Sequence, residues 1–145
     1  MANRSIREVV ESAVAAHISA QDGLSGVQIL KGLSVTTQDL PVVICSCENV
    51  GPMDGIAQVL GNYACTVQLA VFTSSDETNA LTVHRARAAV LDAAMQDVTG
   101  LQSKFTTDGD ASCYTATFQS FEDSRGDRAL GTTITYSVDV VLASS

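Results

Sequence analysis

The sequence predicts an α+β fold. A mainly antiparallel sheet of about four strands carries two helices packed on one face, in the order α–β–β–α–β–β, and ends in a long C-terminal β-hairpin. Three observations predict it. From Thr132 to Leu142 one face reads Thr132, Ile134, Tyr136, Val138, Val140, Leu142, and the other reads Thr133, Thr135, Ser137, Asp139, Val141. Such strict alternation is the signature of a half-buried strand. Two further runs, 42–47 and 62–72, are rich in Val, Leu, Ile and Cys, while residues 6–18 and 78–98 place apolar side chains at helical spacing. The connections are of hairpin length and show no βαβ crossover pattern, which favours antiparallel pairing.

Taken in order, Ser5 and Glu8 form a capping box, each side chain able to satisfy an orphan amide at a helix start. Ile6, Val9, Val10, Ala13, Val14 and Ile18 then make one apolar stripe, with His17 at its border and Gly23 a suitable stop. Residues 24–38 have two glycines, Gly26 and Gly32, and no clean period. Val27 and Ile29, with Leu33 and Val35, are candidates for short extended pieces. Pro41 opens a buried strand over 42–47, and residues 48–55 have turn chemistry throughout. In the next strand Cys65, Val67, Leu69 and Val71 point to the core, with Thr66 and Gln68 opposite. Ser74 and Glu77 stand at capping-box spacing before the second helix. Its apolar face is Leu81, Val83, Val90, Leu91, Ala94 and Met95, and Thr99-Gly100 is a natural end.

The final hairpin pairs a strand carrying Tyr114, Ala116 and Phe118 on one face with the run ending at Leu142, through a charged tip of residues 122–128. Residues 130–142 span roughly 43 Å at ~3.3 Å each. A domain of this length has a diameter of about 38 Å. The ribbon is as long as the domain, which suggests a strand pair serving a larger assembly.

With 145 residues, 46% of them apolar and 17% charged, the chain is expected to form one globular domain over 1–145. It contains no run of eighteen apolar residues and no signal-like hydrophobic stretch after Met1, so a protein made in the cytoplasm and not in the membrane is expected. Sixteen acids against eight bases leave a net charge of −8. Nucleic-acid binding through phosphate neutralisation is disfavoured, although an acidic wall can let DNA slide past without sticking.

A search for reactive groups finds little. Cys45 and Cys47 lie two apart on a strand, which is not the spacing of a zinc knuckle, and all four cysteines read as reduced, buried thiols. His84 with Arg85 and Arg87 comes nearest to an anion-binding cluster. The plainer reading is a solvated helix face whose cations meet nearby acids. Gly23, Gly26 and Gly32 spell no phosphate loop, Asp108 and Asp110 lack the other ligands of a calcium loop, and Arg125-Gly126-Asp127 reads as turn chemistry. No catalytic, metal or cofactor residues are expected.

Aliphatic strands with charged tips, an acidic balance and no ligand motif describe an assembly subunit. In element order and texture the chain resembles the tail terminator (tail completion) proteins of long-tailed bacteriophages. The nearest local likeness is Val67-Gln68-Leu69-Ala70-Val71-Phe72-Thr73 leading to Val83-His84-Arg85-Ala86-Arg87. The resemblance implies a homo-hexameric ring on the head-proximal end of the tail tube. Such a ring stops tube polymerisation and joins the tube to the head–neck connector. It leaves a channel through which DNA passes without specific binding, and in contractile tails it also meets the sheath. It implies a virion location after assembly in the host cytoplasm, with no enzymatic activity and no cofactor. Contacts with neighbours are expected at Met53 and Asp54 and at the tip residues Glu122, Asp123, Arg125, Asp127 and Arg128. The competing readings are another neck or head-closure protein, a dimeric ligand-binding regulatory domain, and an enzyme.

Overall fold

The computed structural model describes residues 6–24, 26–32, 41–52, 62–109, 111–125 and 129–142. The elements are α1 (Ile6–Ser19), a 3₁₀ turn (Asp22–Leu24), β1 (Gln28–Lys31), β2 (Val42–Pro52), β3 (Asn62–Ser74), α2 (Ala80–Gln96), α3 (Val98–Gly109), β4 (Ala111–Arg125) and β5 (Ala129–Leu142). The strands form a five-stranded sheet in the order β1-β2-β3-β5-β4. β1 runs parallel to β2, and every other pair is antiparallel. The fold is the predicted α+β class, with one strand and one helix more than the sequence suggested.

The core lies between one sheet face and the helices. Val43, Cys45 and Cys47 of β2, Cys65, Val67, Leu69 and Val71 of β3, and Ile134, Tyr136, Val138 and Val140 of β5 form one side. Val10, Val14 and Ile18 of α1, Leu91 and Met95 of α2, and Leu101 and Phe105 of α3 close the other. Burying a Leu or Phe side chain of this kind contributes about 1.5–3 kcal/mol. The alternation read from β3 and β5 is the alternation observed, and Thr73 and Thr132 extend the buried faces of β3 and β5 with hydroxyls.

The extra helix arises at Asp97. Its backbone N–H closes α2 onto Ala93 and Ala94, and its carboxylate accepts from the Gly100 N–H at 3.2 Å, starting α3. Gly100 is therefore inside a helix and does not end one. A Cβ there would stand 2.8 Å from Cε1 of buried His17, so the glycine serves close packing. β1, where Val27 and Ile29 are candidates for a short extended piece, has four residues, framed by Gly26 and Gly32 at φ of 82° and 81°, which only glycine adopts cheaply. Residues 48–52 read as turn yet belong to β2, whose pairing with β3 resumes after a bulge between Cys47 and Asn49. α1 stops at Ser19, before Gly23, whose missing Cβ makes room for Val90. Ser5 lies outside the described residues, so its capping box does too.

The expected cap of α2 is replaced by a different turn. Ser74 is still paired with Ala129 in the sheet, so it cannot cap a helix, and its Oγ accepts from the Asp76 N–H at 3.2 Å. Asn79, left-handed at φ 54°, precedes the helix and makes no side-chain cap. Glu77 turns to Arg87, taking both guanidinium ends at 3.1 and 2.9 Å. Three of the cysteines, Cys45, Cys47 and Cys65, are buried as expected. Burial pushes the Cys45 thiol up to about 12.

Candidate functional site

Two bulges in β4 decide which of its side chains face the helices. The register passes from Cys113 to Thr115 and from Phe118 to Ser120 across an extra residue on each occasion, opposite unbroken β5. Phe118 therefore pairs with Tyr136 and Phe121 with Ile134, both core residues. Two phenylalanines three apart, which would point to opposite faces of a regular strand, end on the same one. Ala116 and Phe118 share a face as expected, paired with Val138 and Tyr136, and the first bulge lies between Cys113 and Thr115.

β4 is the sheet's edge, and the helices cover its core-side face incompletely. Phe118 remains 53% exposed and Phe121 50%, and across the gap Leu81 of α2 is 41% exposed. Among the described residues these are the exposed large hydrophobics, and they share one side of the molecule. Phe118 packs edge-on to Tyr136, with ring centroids 6.1 Å apart and an interplanar angle of 76°. Between α2 and the β4–β5 ribbon lies a cleft of about 440 Å³. Leu81, Ala88, Phe121 and Leu130 supply its apolar walls, and His84, Asp92 and Asp123 its polar groups.

His84, Thr132 and Asp123 line the cleft as part of a hydrogen-bonded chain that continues to Thr73 and Arg87. Arg87 Nη1 donates to Thr73 Oγ1 at 3.1 Å, and His84 Nδ1 lies 2.9 Å from the same oxygen. His84 Nε2 lies 2.8 Å from Thr132 Oγ1, which donates to Asp123 Oδ1 at 2.7 Å. His84 is thus buried, not on a solvated face as its neighbours Arg85 and Arg87 suggested; on α2 it begins the inward stripe His84, Ala88, Leu91, Met95. Arg87 does meet an acid, as expected of that face. Burial lowers the His84 pKa, Asp123 opposes this, and Arg87 adds to it. At the other end of the cleft Tyr136 Oη donates to Asp92 Oδ1 at 2.7 Å. Burial and this carboxylate raise the phenol's pKa far above its usual range.

Of the expected contact residues, Glu122 and Asp123 are exposed on β4, and Asp123 also anchors Thr132. Arg125 ends β4, and Met53, Asp54, Asp127 and Arg128 lie outside the described residues. Leu81, read from the sequence as part of the second helix's apolar face, is exposed at the cleft, and sequence reasoning missed the exposure of Phe118 and Phe121 and the Thr73–His84–Thr132 chain. A Phe118–Phe121 spacing that breaks alternation was the available signal for the bulge. The threonines carried none, since they extend apolar strand faces.

No protein-family model matches the chain, and no curated protein matches it. Its fold does occur among solved structures. A chain from the virion of a native gene transfer agent particle superposes with a TM-score of 0.63 at 12% identity, covering 90% of this chain and 93% of that one. At that identity the likeness is one of fold.

Proposed function

We propose that the chain is a structural subunit of a bacteriophage-type tail or neck, and specifically a tail terminator. It forms a hexameric ring on the head-proximal end of the tail tube, ends tube growth and presents a surface to the head–neck connector. The observation that supports this reading most is the near full-length fold likeness to a chain of a virion particle. The edge strand adds to it: β4 is fifteen residues long and presents exposed Phe118 and Phe121, a surface suited to a neighbouring subunit. The role is one of assembly and not catalysis. Thr73 and Thr132, the hydroxyls nearest His84, are buried and committed to the fold. The partners are further copies of this chain, the tube protein, the connector and, in a contractile particle, the sheath. DNA passes through the ring without specific contacts.

Solution mass and electron microscopy with purified tail tubes test the reading. Hexamers, or monomers that assemble only on tube ends, are expected. A monomer or stable dimer that leaves tube ends bare and tube length unregulated refutes it. Binding to isolated connectors but not to tubes would instead identify a head-closure protein.

A further inference from the structure

The donors and acceptors around His84 favour one arrangement of protons. A guanidinium only donates, so Thr73 Oγ1 is an acceptor toward Arg87 and its own hydrogen is free for His84 Nδ1. Nδ1 must then be a bare lone pair. The ring hydrogen sits on Nε2 and goes to Thr132 Oγ1, whose hydrogen goes to Asp123. Every group is satisfied, and the imidazole is neutral. A proton added at Nδ1 would face the Thr73 hydroxyl hydrogen. That hydroxyl would have to rotate and give up its bond to the ring at a fully buried site. The chain joins α2, β3, β5 and β4 at the tip end of the ribbon, and its members His84, Thr132 and Asp123 line the cleft with Phe121 and Leu81.

We propose that His84 is a proton-operated latch: neutral, it holds α2 and the tip end of the β4–β5 ribbon together across the cleft, and protonated, it lets that end open. This goes beyond the assembly role and does not depend on it. The charged groups around the ring are Arg87 and Arg85 of α2, Glu77 of the turn before it, Asp92 in the same cleft and Asp123 of β4; β3 and β5 contribute the two threonine hydroxyls. The closed form holds the ring's pKa below the ordinary 6.5, so its stabilisation is complete above 6.5 and is lost as pH falls toward the lowered value.

Nitrogen NMR of the full chain labelled at histidine tests the proton assignment. At about pH 7 the His84 ring should be neutral with Nδ1 bare and Nε2 protonated. Hydrogen exchange, corrected for intrinsic rates, then tests the latch. Between about pH 6.5 and the lowered pKa, opening of amides in 118–124 and 130–135 should rise about tenfold per pH unit. The β2–β3 amides should stay unchanged. His84→Gln should make ribbon exchange independent of pH in this window. If that variant does not fold, Arg87→Met should move the wild-type midpoint to higher pH, and Asp123→Asn should move it lower. A charged ring, or Nδ1–H, near neutral pH overturns the proposal. So does wild-type ribbon exchange that is flat with pH, or midpoints that Arg87→Met and Asp123→Asn leave in place.

Discussion

Gly100→Ala should destabilise the protein, against the rule that alanine improves a helix. The helix-propensity gain is at most about 1 kcal/mol, and less near a helix start. Against it stand two close approaches. The new methyl would lie 2.8 Å from His17 Cε1 and 2.5 Å from Asp97 Oδ2. His17 cannot retreat, being buried with Nε2 2.7 Å from the Ala94 carbonyl. Asp97 can move, but only by giving up its bond to the Gly100 N–H, and a lost cap costs about 1 kcal/mol. Overpacking of this kind costs about 1–3 kcal/mol. The net expectation is a loss of about 1–3 kcal/mol, and Tm should fall by roughly 3–10 °C at this chain length. Urea and thermal melts by far-ultraviolet circular dichroism measure it. A variant as stable as wild type would refute the packing argument. In a His17→Ala background the penalty should shrink to the Asp97 contribution, close to neutral once the helix-propensity gain is counted, and an undiminished penalty there would remove His17 as the cause.

Four further outcomes are expected. Val138→Asp places an unpaired carboxylate in the core, costing several kcal/mol, so the variant should be insoluble or unfolded; a soluble, natively folded variant would mean the faces of β5 are misassigned. Tyr136→Phe removes the donor to Asp92 and should cost about 0.5–1.5 kcal/mol in urea melts. In the wild type the Tyr136 phenolate band should stay absent until the protein unfolds in alkali, and its appearance in folded protein near the ordinary pKa of 10.0 would contradict the buried bond. Cys45, raised to about 12 and buried, should resist iodoacetamide near neutral pH in native protein and react once denatured, as read by peptide mass; rapid native labelling would place it at the surface.

The parts of the fold that were legible depend on neighbours in sequence. Alternation along β3 and β5 reports burial directly, because side chains two apart share a face, and the stripe of α1 does the same at helical spacing. The charged groups were harder. Arg87 beside Glu77 obeyed a surface reading, whereas His84, three residues earlier on the same helix, turned inward because two sheet hydroxyls could satisfy both its nitrogens. Those hydroxyls stand 11 and 48 residues away, beyond any local pattern.

By itself the sequence determined an α+β domain with an antiparallel core of aliphatic strands, a long terminal ribbon and an acidic balance without a reactive motif. Periodicity and composition carry those properties, since each follows from which residues seek water. Tertiary structure alone decided the rest. Asp97 could both end one helix and begin another only because His17 had room against a glycine. The bulges set Phe118 and Phe121 on one face only because β5 continued in unbroken register beside them. The ribbon read as the part that meets a neighbour keeps that role in the proposed ring, and the fold adds to it an exposed aromatic face with the His84 chain beside it.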